Sequence, residues 1–259
     1  MILLAVLAVW EILPRGGFIA ELLLPPLSKT LMALFHERAQ YAMAMVVTLY
    51  EVGFAMLIAC GGGIIVGALI GGLALLRKLL LPVFSSLYAV PIVILYPIFT
   101  AWFGIGSESK ILFAGVYGFF PVMLSTAAGI RTIEEQLLVA ARSMGATVPQ
   151  QITRVIIPAA IPTVLTGLRL GGALTIIGVV VSEMLTSAAG IGYLVTSYRT
   201  VLDSPHVFAA VLMILVFSVL FDAFARFVER KTLIWQTAGR RERTTARPDT
   251  RIASAAAPA

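Results

Sequence analysis

Residues 44–76 form a run of 33 positions with one charged side chain, Glu51. Inside a bilayer no water is at hand to satisfy backbone N–H and C=O groups, so such a run must close its hydrogen bonds internally as a helix. A crossing takes about 20 apolar residues. At about 1.5 Å per residue this run outreaches the bilayer, so it tilts or projects. Residues 79–103, 109–130, 162–186 and 205–228 have the same character. A further apolar run, 2–13, is short for a crossing; either the true start lies upstream or this helix is partly interfacial. A secretory signal peptide fits it less well, because no basic stretch precedes it and no small-residue cleavage site follows.

Only 12% of the residues are charged, against about 25% in soluble domains. No alternation of apolar and polar residues suggests a membrane barrel. The expected fold is all-α: a polytopic membrane protein of about six transmembrane helices. Residues 1–43 hold the first helix and an external segment, 44–235 the core, and 236–259 a basic tail expected to be disordered. The single cysteine, Cys60, excludes an intrachain disulfide and is expected to pack in the core. The net charge of +6 follows membrane topology better than nucleic-acid binding, since the basic residues flank apolar runs without an aromatic platform. With the loop 131–161 on the cytoplasmic side, 14 Lys and Arg lie inside and 5 outside. The opposite orientation inverts the positive-inside bias. Both termini are then cytoplasmic if the first segment spans.

The loop 131–161 is the one structured polar insertion between spans. Thr132-x-x-Glu135 and Thr147-x-x-Gln150 both fit capping boxes, which mark two helix starts. Glu134 and Glu135 suit the positive end of the first helix dipole. Ile133, Leu137, Ala140, Ala141 and Met144 recur at helical spacing. Gly145 is placed to close the first helix in a positive-φ conformation, and Pro158 and Pro162 are expected to stop the second and start the next span. Both helices are short and amphipathic. They either connect spans or form a knob that seats in a groove on a soluble partner, to which Ala140, Ala141 and Gly145 allow close approach.

The loop resembles the cytoplasmic "EAA" loop of ATP-binding-cassette importer permeases. That pattern is Glu-Ala-Ala, three residues, Gly, nine residues, then Ile-x-Leu-Pro. Here Val139-Ala140-Ala141 precedes Gly145 by three residues, and Val155-Ile156-Ile157-Pro158 follows nine later. Val139 replaces the glutamate, and Glu135, one turn earlier, offers a carboxylate in its stead. The resemblance covers nearly the whole chain and is to the nitrate, sulfonate, taurine and bicarbonate branch. It is carried by Leu24-Pro25-Pro26, Trp102-Phe103-Gly104-Ile105-Gly106 with Ser109-Lys110, Thr166-Gly167-Leu168-Arg169, Ser182-Glu183-Met184 and Gly190-Ile191-Gly192-Tyr193, then by Asp203, Asp222, Arg230 and Trp235.

The resemblance implies a homodimeric permease of the bacterial inner membrane. Each copy would dock onto one ATPase subunit through Glu135, Val139, Ala140, Ala141, Arg142, Gly145 and Ala146, and a periplasmic substrate-binding protein would deliver cargo. ATP and Mg would be bound by the ATPase, since the chain has no Gly-x-x-x-x-Gly-Lys-Ser/Thr loop and no residues are assigned to catalysis. No metal constellation is read either, His36 and His206 being far apart in sequence. Membrane lipids are the other expected contact.

Charges at membrane depth are functional candidates. Glu183 is expected either to shape the outer gate, held by backbone N–H groups of the turn 188–192, or to contact substrate. Asp222 is expected near Arg226, four residues on. Ser85, Tyr88 and Tyr96, beside Pro91 and Pro97, are expected to line the pathway, because prolines leave carbonyls that need protein or water as partners. Sulfonate-type relatives carry Arg-Pro-Ile-Pro where this chain has Tyr88-Ala89-Val90-Pro91, which favours a less charged or aromatic cargo. The competing readings are an ion-coupled secondary transporter, which needs midplane charges and inverted repeats, and an intramembrane enzyme, which needs a nucleophile–base pair or metal ligands within the spans.

Overall fold

A computed structural model describes the backbone of residues 2–245 and the side chains of residues 4–232. Its helices are α1 (Ile2–Arg15), α2 (Leu27–His36), α3 (Arg38–Met56), α4 (Gly63–Gly72), α5 (Ala74–Tyr88), α6 (Tyr96–Phe103), α7 (Ser107–Arg131), α8 (Glu135–Ser143), α9 (Val148–Gln151), α10 (Ile157–Leu185), α11 (Ile191–Thr200) and α12 (Ser204–Thr245). Among the described residues there is no strand. The chain is all-α, as expected.

Four stretches among the described residues are long and apolar enough to cross a membrane: Arg38–Gly72, Ser107–Arg131, Val148–Leu185 and Ser204–Thr232. A fifth is available from α5 and α6, where the helix expected over 79–103, bent at Pro91 and Pro97, is broken into two. The pair is bent by 85°. Pro91 lacks an N–H and disfavours helical geometry in the residue before it. The chain therefore ends α5 with tight bonds from Ala89 N–H to Ser86 O and from Val90 N–H to Leu87 O, then re-enters through a short 3-10 turn at Ile92–Leu95. Pro97 is tolerated at the start of α6, where its missing N–H has no helical partner to lose.

The first apolar run forms α1, 14 residues long, which reaches about 21 Å and falls short of a crossing. It packs on the start of α2. Trp10 Nε1 donates to Pro25 O at 3.0 Å, and the Glu11 carboxylate accepts the Ser28 backbone N–H at 2.9 Å. A carboxylate from another helix thus satisfies an orphan donor that Pro26, at the N-cap of α2, has no side chain to reach. The basic tail expected to be disordered from 236 is helical as far as Thr245, and its remainder, 246–259, lies outside the described residues.

Helices α4, α7 and α10 pack through small residues. A Cβ on Gly67 would lie 2.5 Å from Met123 O, so α4 meets α7 backbone to backbone, the approach small residues permit in membranes. Val52, Ala55, Ala114, Ile176 and Val179 fill the space where α3, α7 and α10 meet. A second cluster, with Ile92, Tyr96, Phe113 and Phe120, seats the broken α5–α6 pair on α7. By contrast, most of α12 is uncovered: Leu215, Val219, Leu220 and Phe224 are exposed apolar side chains.

The expected stop at Pro158 and Pro162 does not occur. Helix α9 runs through a π-turn at Ile152–Ile156 directly into α10. The wider turn just ahead of Pro158 shifts the backbone bonding, and both prolines sit inside one continuous helical segment.

Candidate functional site

Two features stand out, one at each end of α7. The first is the hairpin of α8 and α9 that follows Arg131. Its closure uses backbone chemistry readable in the sequence. Gly145 has φ +76°. Its N–H donates to Arg142 O at 2.9 Å and the Ala146 N–H to Ala141 O at 3.0 Å, the paired bonds of a Schellman cap. The capping box at Thr147 forms, with the Thr147 N–H donating to Gln150 Oε1 at 2.8 Å. The box expected at Thr132 does not. Thr132 instead closes α7, its hydroxyl donating to Gly129 O at 3.2 Å, and Glu134 is the N-cap of α8. Gln151 braces the hairpin by donating to Ala146 O at 2.9 Å and accepting from Arg142 Nε at 3.4 Å. Sequence reasoning did not single it out, because it lies one residue past the box.

Of the seven residues expected to dock a partner, Ala141 is buried and Ala146 half-buried, while Glu135, Val139, Ala140, Arg142 and Gly145 are exposed. Leu137, Val139, Met144, Val148 and Ile152 are exposed alongside them, Met144 at 81% of its surface. Several uncovered apolar side chains on one short polar loop are what an interaction surface presents.

The second feature lies at the far end of α7 and gathers three buried charges. Glu51 of α3, Lys110 of α7 and Glu183 of α10 are each at most 3% exposed. Lys110 Nζ lies 2.5 Å from Glu51 Oε1, which also accepts from the Ser107 hydroxyl at 2.8 Å. Lys110 donates a further bond to Ser187 Oγ at 3.0 Å. Glu183 accepts from Thr48 Oγ1 at 2.8 Å and from the Gly192 N–H at 2.7 Å, and Thr48 accepts from the Ile191 N–H at 2.9 Å. The cluster ties α3, α7 and α10 to the turn before α11. Such charges persist in an apolar bundle only when paired or hydrogen-bonded. The Glu51–Lys110 pair spans 59 positions of sequence and no local pattern announces it; the only signal was an acid alone in an apolar run.

The residues expected to line a pathway lie on both halves of the broken α5–α6 pair, with Ser85 and Tyr88 on α5 and Tyr96 on α6. Ser85 is exposed on α5. Tyr88 is half-buried and stacked on Phe120, ring centres 5.9 Å apart. Tyr96 is 1% exposed with its hydroxyl 3.4 Å from Thr186 O, so it joins Glu183 beneath the 186–192 turn. A cavity of about 470 Å³ opens between α10 and α12, lined by Arg169, Ile176, Phe221 and Asp222 among others. Arg169 Nε donates to Asp222 Oδ1 at 2.6 Å, and Arg226 bonds the other carboxylate oxygen, as its i+4 spacing led one to expect.

Residues 62–234 match the family described as binding-protein-dependent transport system inner membrane component. The Bacillus subtilis permease SsuC, whose name assigns it to aliphatic sulfonates transport, is 32% identical over 89% of this chain and 84% of its own. The taurine transport system permease protein TauC of Escherichia coli is 30% identical over 90% of this chain and 87% of its own. In fold, a chain of the methionine ABC transporter MetNI in an inward-facing conformation superposes with a TM-score of 0.65, at 17% identity, over 75% of this chain and 97% of that one. This multi-pass membrane chain therefore belongs to the family of binding-protein-dependent transport system inner membrane components, the permease subunits of ATP-binding-cassette importers.

Proposed function

We propose that two copies of this chain form the membrane passage of an ATP-driven importer. Each copy seats its α8–α9 hairpin on one ATPase subunit, and a binding protein delivers cargo at the opposite end of the bundle. ATP and Mg are held by the ATPase, and this chain supplies movement without catalysis. The hairpin faces the cytoplasm of a bacterial cell, where the positive-inside count puts it, as it puts the C-terminal end of α12. The observation that carries this reading is the set of exposed apolar side chains on the hairpin, Leu137, Val139, Met144, Val148 and Ile152. They are uncovered in the single chain, yet displayed on a hairpin closed by a Schellman cap and a capping box.

The cargo is a small solute: a sulfonate such as the relatives' names give, nitrate, or a small organic or aromatic acid or vitamin precursor. Glu183 serves the external gate as a positioning group. Both its oxygens already accept hydrogen bonds from the protein, which leaves it poorly placed to hold cargo.

The test is uptake of a radiolabelled sulfonate into proteoliposomes holding this chain with its ATPase and binding protein. Uptake requiring all three components and ATP supports the proposal. Uptake by this chain alone, driven by an imposed ion gradient, would establish the secondary-transporter alternative instead. Within this scheme, Met144→Asp combined with Val148→Asp places charge on the docking edge and is expected to abolish uptake while leaving the chain folded, since both positions are exposed.

A further inference from the structure

Away from the hairpin and the buried charges, two apolar hollows of about 360 and 410 Å³ adjoin one another, sharing Leu34 and Met213. The first lies among α2, α3 and α12 and extends to Leu49, Val216 and Leu220. The second rises past Phe35 to Arg38, at the start of α3. Together they make one groove, apolar along its length and carrying a single cation at its mouth.

Its length is informative. Arg38 and Leu49 are eleven residues apart on α3, about 16 Å along a helix axis. Half of a hydrocarbon core about 30 Å thick is about 15 Å. The groove therefore runs from the headgroup level to the middle of the bilayer, the depth of one leaflet. Its capacity is equally informative. A helix of that length, about 10 Å across, fills about 1,250 Å³, more than the two hollows hold together. An alkyl chain is slim enough.

The charge at the mouth is uncompensated. Among the described residues no carboxylate lies within 4 Å of the Arg38 side chain. Its guanidinium sits 5.3 Å from the centre of the Phe35 ring, with one long contact to Phe35 O at 3.5 Å. The neighbouring Glu37 is engaged elsewhere, accepting a hydrogen bond from the Tyr198 hydroxyl. Lys29, further along α2, is paired with Glu21. We infer that this groove binds one phospholipid of the leaflet opposite the α8–α9 hairpin, with its phosphate on Arg38 and one acyl chain lying between α3 and α12 down to Leu49 and Leu220.

The test places the full chain in nanodiscs of phosphatidylglycerol and phosphatidylethanolamine, transfers it to detergent and counts retained lipids by native mass spectrometry. The unaltered chain is expected to keep one phospholipid per copy. Arg38→Gln removes the anchor and is expected to lower retention about tenfold, the worth of one charge-assisted hydrogen bond. Val216→Trp fills the groove at a half-exposed position and is expected to lower retention with Arg38 intact. Equal retention in all three proteins would overturn the inference. So would a photoreactive side chain at Leu220 that links to a second copy of the chain instead of to lipid.

Discussion

Glu183 and Gly190 exclude each other's alternatives: a Cβ built on Gly190 would lie 2.1 Å from Glu183 Oε1. The glycine also has φ +102°, a conformation that L side chains rarely adopt. The carboxylate therefore occupies room that only a glycine leaves, and the turn it supports starts α11.

Gly190→Ala is accordingly expected to destabilise the chain by more than the about 1–3 kcal/mol of backbone strain alone, because the Glu183 carboxylate must also move. The measurement is the thermal midpoint in detergent, followed by size-exclusion chromatography. Glu183→Ala in the same background should recover part of the loss. If it recovers nothing, the steric coupling between the two residues is wrong.

Lys110→Met leaves the Glu51 carboxylate buried without its cation and is expected to cost about 3–5 kcal/mol, the usual effect of removing one partner of a buried pair. Replacing both groups, as Glu51→Leu with Lys110→Met, should restore most of the stability, since a well-packed apolar pair avoids the desolvation of both charges. Chemical denaturation of the single and double variants closes the cycle. Additive losses would show that the two side chains do not interact.

Gly145 separates two effects that both require glycine. Among the described residues a Cβ there meets no atom within 4 Å, while φ is +76°. Asn tolerates that conformation and Val does not. Gly145→Val should therefore distort the hairpin and uncouple ATP hydrolysis from uptake in proteoliposomes. Gly145→Asn preserves the turn and tests close approach alone. Loss of coupling in both variants assigns the glycine to the partner interface; loss in Val only assigns it to the Schellman cap.

The crossing segments were legible because hydrophobic length is a one-dimensional property. Residues 44–76 and 109–130 could be read as membrane helices without knowing what they touch, and the close of α8 at Gly145 was written in local backbone chemistry. The errors fall where two local signals competed. Thr132 could cap the helix ahead or finish the one behind, and its hydroxyl bonds back to Gly129 O. Pro91 reads as a bend inside one span and Pro158 as a stop, yet the first breaks its helix by 85° and the second rides a π-turn without a break. The Glu51–Lys110 pair was illegible for a different reason: partners far apart in sequence are joined only by packing.

The central claim is tested most directly at Met144, 81% exposed at the tip of the hairpin. A benzoylphenylalanine there, irradiated in membranes holding the assembled transporter, is predicted to form an adduct with the ATPase subunit. The same group at Trp102, 73% exposed near the opposite end of α7, should form none. An ATPase adduct from position 102 with none from position 144 would contradict the account.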